Sequence, residues 1–506
     1  MVTKVLSGMV RGVEGFPVYV ETDISNGLPI FELVGYLGSE VKEARERVRT
    51  ALKNNGYSLP VAHITVNLSP ADMRKSGTGF DLPIALSLLI CLGVIDSSEL
   101  EDTFVAGELM LSGEVKSTSG ILPMILMAKS QGCRRCIIPT ENIDEGSVVE
   151  GIEVYGVGCI KEIVDFLKGE VNIEKVHSVL RKMLDARREY LYDFAQIKGQ
   201  SFAKRGALIA AAGLHNIIMS GPPGSGKTMI AKCLPSILPP LSEDECLEVS
   251  TIYSVKGALS KENPIITTRP FITAHHTSTD ISLIGGGVIP RPGAVSLAHK
   301  GVLFLDEIPE FSRNALEALR QPLEDKEVNI TRNRDICVFP SDFMLVAAMN
   351  PCPCGHYPDH NKCSCTDAMR QKYLSKISGP LLDRIDICIT AKKVPLSEIV
   401  DNGIVGESSK EMRRKVIDAR NIQQNRYRGL GISFNSQMNN GHIEKFCHLD
   451  EKKSELMMRL AHKHDISARS YFRILRVART IADLESSEDI KEEHLLEAVR
   501  LKLNYR

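Results

Sequence analysis

The sequence predicts a nucleotide-binding α/β protein, with a second α/β domain before the nucleotide core and a helical domain after it. Three observations carry this expectation. Gly221, Pro222, Pro223, Gly224, Ser225, Gly226, Lys227 and Thr228 fit the pattern G-x-x-x-x-G-K-[ST] between a short apolar run and a helix-like run. Two later apolar runs end in polar residues, Asp306-Glu307 and Asn350, as buried strands do when they present side chains at one sheet edge. Residues 1–170 alternate strand and helix patterns, whereas the last hundred residues read as helices.

The chain has 506 residues, of which 43% are hydrophobic and 25% charged. This length suits about three domains with more than one core. The expected division is an N-terminal domain over 1–170, a charged linker over 171–190, a nucleotide core over 191–395 and a helical domain over 396–506. Lys175, Arg181, Lys182, Arg187 and Arg188 give the linker its charge. A net charge of −1 neither advertises nor excludes nucleic acid, because a basic surface can sit within a neutral total. The N-terminus lacks the basic-then-apolar pattern of a signal peptide. The longest apolar run, Leu82 to Ile95, is too short to span a bilayer and contains Pro83. A cytoplasmic protein with no membrane partner is expected, so its 13 cysteines should be reduced and clustered ones should point to metal.

In the first domain, Pro17–Thr22 and His63–Leu68 show the two-residue period of half-buried strands. Ser39 to Leu52 reads as a helix, with Val41, Ala44, Val48 and Ala51 on one face and Gly56 beyond its end. Cys133 and Cys136 run into a strand-like segment and read as buried structural cysteines.

In the nucleotide core, glycines let phosphates approach the backbone amides at the start of the helix, where the helix dipole is positive. Lys227 can then reach the β- and γ-phosphates, and the Thr228 hydroxyl can ligate Mg²⁺. The expected cofactors are therefore ATP and Mg²⁺. Asp306 ends a buried strand where it can share that Mg²⁺, and Glu307 can polarise the attacking water. Asn350 would sit between the other two strand ends. Ile197 and Gln200, ahead of the helix Ala207–Ala212, are candidates to pack on the adenine. About 80 residues separate the phosphate loop from the Asp-Glu strand, too many for a structureless loop, so elements are expected there. His275, His276, Arg291 and Lys300 in that insert, and Arg332 and Arg334 on a hairpin over Val328–Val338, are surface residues or, by resemblance to ATPases whose insert lines the pore of a ring, candidates to touch a threaded nucleic acid strand.

Cys352, Cys354, Cys363 and Cys365 give C-x-C-x8-C-x-C, four soft donors on one closed loop over 352–365, and predict a structural Zn²⁺. His356, Asp359 and His360 offer alternative ligands. Arg384 falls on a tight turn, and Arg469 opens a helix whose Ile474, Val477, Ile481 and Leu484 share a face. Charge on a transferring γ-phosphate calls for arginines, supplied from the same or a neighbouring subunit. Lys410 to Arg428 holds seven basic residues against Glu411 and Asp418, a DNA contact or a solvated face.

The order of phosphate loop, Asp-Glu strand, Asn strand, arginine turn and helical lid resembles the AAA+ ATPases. His275-His276, Gly285–Gly293 and Leu316–Glu324 resemble their magnesium-chelatase-like branch. Pro70–Ala85 and Ser119–Met124 resemble the proteolytic domain of Lon-type proteases, in which a serine and a lysine form the catalytic dyad. Here Gly79 and Leu122 take those places, so the resemblance implies the fold without the activity, unless nearby Ser76 and Lys75 substitute. With Asn350–Gly355 added, the whole chain is similar to the YifB/ComM family. That resemblance implies a hexameric, ATP-driven DNA helicase acting on branched or single-stranded DNA during transformation or recombination. It also implies nucleotide roles for Lys227, Asp306, Glu307, Asn350, Arg384 as trans-acting finger and Arg469 as lid sensor, with Arg370 and Arg473 as competitors. The rival expectations are a metal-inserting chelatase motor, an ATP-dependent protease and a remodelling chaperone without DNA contact.

Overall fold

The computed structural model describes residues 2–176, 178, 180–185, 190–332, 335–359, 361–394 and 406–503. The N-terminal sheet has seven strands in the order Phe31–Val34, His63–Ser69, Glu14–Ser25, Thr3–Arg11, Thr103–Val105, Arg135–Pro139 and Glu153–Val157. Glu14–Ser25 pairs antiparallel with both its neighbours, and the remaining pairs are parallel. The helix Ser39–Asn54 buries the face expected of it, Val41, Ala44, Val48 and Ala51, with Leu52 added. The next helix, Asp81–Cys91, is buried from Asp81 to Ile90, which is why its apolar run shows no polar face. Each large aliphatic side chain sealed in this way stabilises the domain by about 1.5–3 kcal/mol. Cys133 and Cys136 are buried in that domain's second core, and burial raises both thiols.

The nucleotide sheet has five strands, all parallel, in the order Phe271–Ala274, Val302–Leu305, Met344–Met349, Ile217–Ser220 and Ile387–Thr390. Met344–Met349 thus lies between the phosphate-loop strand and the Asp-Glu strand, so all three polar strand ends meet at one edge. The insert holds the helix Glu243–Lys256, the strand Phe271–Ala274, the helix Asp280–Ile284 and a two-residue ladder of Gly285–Gly286 with Arg291–Pro292. The strands Glu327–Arg332 and Asp335–Pro340 form the second hairpin. Arg334 lies outside the described residues.

The C-terminal helices include Ser409–Arg426, Asn440–Phe446, Glu451–Lys463, Ala468–Leu484 and Glu492–Leu503. Met412, Val416, Ile474, Val477 and Ile481 from these helices share one core with Ile217, Met219, Leu234 and Val346 of the nucleotide core. Arg473 donates to Asp386 at 2.8 Å, and His215 Nδ1 stands 3.3 Å from the same carboxylate. Burial opposes ionisation of Asp386, but Arg473 and then His215 outweigh it and hold the carboxyl well below its usual range.

The N-terminal and nucleotide domains are joined by packing as well as by the chain. The helix Ile121–Ser130 lies on the insert helix Glu243–Lys256. Gly120 N donates to Ser254 O at 3.0 Å, and Leu122 N donates to Glu145 Oε1 at 3.1 Å and to Ser254 Oγ at 3.3 Å. From the linker, Leu180 joins Val148 of one domain and Leu241, Cys246, Val249 and Ile265 of the other in a small shared core. Within 171–190 the described helix is Leu180–Asp185; Arg187 and Arg188 lie outside the described residues. No helix among the described residues is long and apolar enough to cross a membrane.

Candidate nucleotide and metal sites

The phosphate loop leaves the strand Ile217–Ser220 and enters the helix Lys227–Ile237. Gly226 caps that helix at φ 84°, a left-handed conformation open to glycine without strain. Lys227 is nearly buried, and its Nζ donates to Gly221 O at 2.7 Å, Pro222 O at 3.1 Å and Asn350 Oδ1 at 3.4 Å. Burial lowers its pKa, while the charges of Asp306 and Glu307 act in the opposite direction. Thr228 Oγ1 donates to Asp306 Oδ2 at 3.1 Å, so two hard oxygen donors stand side by side at the helix start. That donor set suits Mg²⁺, which takes oxygen ligands and shares them with phosphate. Glu307 follows with φ 52°, strained for a non-glycine residue, and its N–H donates to Asp306 Oδ1 at 3.0 Å.

Two residues expected to touch a threaded nucleic acid strand, His275 and His276, lie beside this site. The strand Phe271–Ala274 pairs with Val302–Leu305 in register, Ala274 opposite Leu305, so the residues that follow each strand are neighbours. His276 Nδ1 lies 3.6 Å from Glu307 Oε2, with the His275 ring 4.1 Å from that of His276. The only local signal of this was the short run Phe271–Ala274, as long as three of the other four sheet strands. Gln200 donates from Nε2 to Ser225 O at 2.8 Å and also to Lys392 O, bracing the phosphate loop. A cavity of about 480 Å³ opens beside it, lined by Ile197, Lys198, Gln200, Leu208 and Met412 among others.

The two arginines lie together, at the opposite end of the sheet. Asn216, immediately before the phosphate-loop strand, donates to Arg384 O at 2.9 Å. The strand spans about 3.3 Å per residue, so its length separates Arg384 from the loop of its own chain. Arg469 Nη1 lies 3.9 Å from Asp383 Oδ2, beside Arg384, and its side chain is 78% exposed. Of the competitors, Arg473 is committed to Asp386, and Arg370 stacks 3.4 Å over the Tyr357 ring in the cysteine loop.

The four cysteine sulfurs lie within 4.8 Å of one another and could hold a metal ion. Cys352 Sγ is 3.4 Å from Cys354 and 3.7 Å from Cys363, and Cys354 is 3.6 Å from Cys363. These separations exceed any disulfide and approach the sulfur spacing of about 3.8 Å that follows from a tetrahedron with Zn–S near 2.3 Å. The His356 backbone N–H draws the Cys354 thiol down, whereas burial and the neighbouring sulfurs push Cys363 and Cys365 up. His360, an alternative ligand, lies outside the described residues.

Comparison with known proteins adds independent support. The family model described as Magnesium chelatase, subunit ChlI, matches residues 193–399. Subunit ChlI of Mg-chelatase matches 20–142, and Magnesium chelatase, subunit ChlI C-terminal, matches 406–502. The chain is 41% identical over 491 residues to Competence protein ComM of Haemophilus influenzae, covering 96% of this chain and 95% of that protein. It is 39% identical over 490 residues to Uncharacterized protein YifB of Escherichia coli, covering 96% and 94%. The chain belongs to the YifB/ComM family. Similarity to the Magnesium-chelatase 67 kDa subunit of Chlorobaculum tepidum is lower, 26% over 160 residues, or 31% of this chain and 23% of that protein.

Membership in this magnesium-chelatase-like AAA+ family implies an ATPase. Several basic residues of this YifB/ComM chain have partners within the chain. Lys300 Nζ is tied to Asp342 at 3.5 Å and Glu248 at 3.8 Å. In the basic helix, Arg420 donates to Ala211 O, Arg426 pairs with Asp483, and Arg413 donates to Ser236 O. Arg291 remains exposed beside a loop whose Val288 is 93% exposed. At the positions that the Lon-type resemblance would give to a dyad, Gly79 has no side chain and Leu122 is sealed in the core, while Lys75 is fully buried.

Proposed function

We propose that this chain is a cytoplasmic, ring-forming, ATP-driven DNA motor that migrates branches in recombination intermediates. ATP sits on the phosphate loop with Mg²⁺ between Thr228 and Asp306. Lys227 steadies the phosphates, Glu307 activates water and Asn350 orients it. Ile197 and Gln200 flank the base. Arg384 and Arg469 complete the site of the next subunit in a hexamer, and Zn²⁺ closes the cysteine loop. The N-terminal domain has the Lon-type fold without its dyad, and the helical domain serves as lid.

The observation that supports assembly best is the distance between each arginine and the phosphate loop of its own chain. It favours hydrolysis that needs a neighbouring copy. The exposed loop bearing Val288 and Arg291 supplies a surface for DNA, and a competence protein among the relatives supports that partner. The test is steady-state ATP hydrolysis without DNA and with single-stranded, duplex and four-way-junction DNA, beside a Lys227→Ala control. Strong stimulation by branched DNA, absent in the control, is expected. Indifference to every DNA form would remove the DNA motor reading.

A second reading, a motor that inserts metal into a cofactor, is favoured by the match to the chelatase model over 193–399. Stimulation by a metallation partner and none by DNA would select it.

A further inference from the structure

The cysteine loop begins at the nucleotide site. Asn350 ends the strand Met344–Met349 and stands 3.4 Å from Lys227 Nζ; Cys352, two residues on, is fully buried. Met349 O accepts from Gly221 N at 3.2 Å, so the same segment is bonded to the first residue of the phosphate loop. Gly355, at φ 80°, lies flat against that loop. A Cβ on it would stand 2.8 Å from Pro223 Cδ and 3.9 Å from Asn350 Cγ.

The far side of the cysteine loop returns to the same place. Past Cys365, the helix Asp367–Leu374 carries the buried Tyr373, whose phenol feels the Asn350 backbone amide. Arg370 of that helix stacks on Tyr357, and Tyr357 N donates to Cys352 Sγ at 3.4 Å. The segments entering and leaving the four sulfurs therefore both converge on Asn350, and the loop's inner face touches Pro223.

We propose that a soft metal ion held by Cys352, Cys354, Cys363 and Cys365 positions Asn350 and the phosphate loop, so that ATP hydrolysis depends on this ion as well as on Mg²⁺. The ion takes no part in the chemistry. Four thiolates close its coordination and leave no position for water or phosphate. It acts by cross-linking two arms of a loop whose polar positions would otherwise drift. Misplacing a reacting group by about 1 Å can cost about 100-fold in rate. The proposal rests on the ATPase reading above.

The test uses full-length protein and four readouts: zinc content, the absorption of cobalt put in its place, circular dichroism, and kcat at saturating Mg²⁺ and ATP. Purified wild type should carry about one zinc per chain, and cobalt in its place should show the charge-transfer absorption of thiolate ligation. A thiol-competing chelator should lower kcat about 10- to 100-fold with the circular dichroism spectrum unchanged, and zinc, but not added Mg²⁺, should restore it. Cys363→Ser should reproduce the loss. Gly355→Ala should keep its zinc and still lose kcat, because the added methyl displaces Pro223.

Reversible removal of zinc with kcat unchanged would overturn the coupling and leave the metal site standing. Loss of the folded spectrum on chelation would make the ion a folding element only and also overturn it. Wild type devoid of zinc, with no cobalt spectrum, would remove the metal site while the ATPase reading survives. Equal and negligible hydrolysis by wild type and Lys227→Ala would mean the ATPase reading itself has failed, and the proposal with it.

Discussion

The side chain of Arg384 folds back onto Glu324 of its own chain, and its Nη1 donates to Pro380 O at 2.8 Å. An arginine that acts on a neighbour's γ-phosphate has to leave this pairing when the ring forms. Arg384→Ala is expected to bind ATP normally and to hydrolyse it about 10³-fold more slowly, within the range for such residues. Mixing Arg384→Ala with Lys227→Ala subunits should recover part of the activity, since some interfaces then hold an intact arginine facing an intact phosphate loop. No recovery at any ratio would assign Arg384 a role within its own subunit.

Glu307→Gln should leave ATP affinity intact and lower kcat by about 10²- to 10⁴-fold, the usual worth of a positioned base. Asp306→Asn should instead shift the Mg²⁺ dependence to higher concentration, because it weakens one of two oxygen donors 3.1 Å apart. Titrating Mg²⁺ at fixed ATP separates the two. An unchanged Mg²⁺ requirement in Asp306→Asn would exclude it as a ligand.

Arg473→Ala leaves the buried Asp386 without its strongest partner and should destabilise the core by about 3–5 kcal/mol. The carboxyl is depressed in the folded state, so its contribution is complete above about pH 4, the ordinary carboxylate range, and is lost as pH falls towards the folded value. Denaturant unfolding at pH 7 and pH 3 should therefore show a smaller gap between wild type and Asp386→Asn at the lower pH. A gap that widens on acidification would contradict this linkage.

Arg291→Ala should weaken DNA binding and lower the slope of log affinity against log salt by about 1, as expected for one lost phosphate contact. Lys300→Ala should leave that slope alone and lower the melting temperature, because it takes one partner each from Asp342 and Glu248, which keep Lys326 and His299. The opposite pattern would place Lys300 on the DNA surface.

The chemistry of the nucleotide site was legible because phosphates and Mg²⁺ demand particular residues at short, fixed spacing. Gly221 to Thr228, Asp306 and Asn350 could all be found from local strings, as could the four cysteines. Contacts made by sheet neighbours could not. His276 meets Glu307 only because Phe271–Ala274 pairs with a strand some thirty residues later, and nothing in His275-His276 announces that. The basic run from Lys410 to Arg428 was legible only in part. A charge run says nothing of which way each side chain turns: Lys410, Arg414, Lys415 and Arg428 are exposed, whereas Arg413, Arg420 and Arg426 turn inward to carbonyls and Asp483. The linker's Leu180 likewise looked incidental until both domains supplied its neighbours.

The burial of Leu122 limits what substitution could do at this face. Writing a serine at 79 and a lysine at 122 would not produce a peptidase. The new lysine would sit in the N-terminal domain's own apolar core, while its amide stays bonded across the seam to Ser254. Burial among apolar side chains opposes the ammonium's charge. The packing that holds this helix in place therefore leaves no room for a working base.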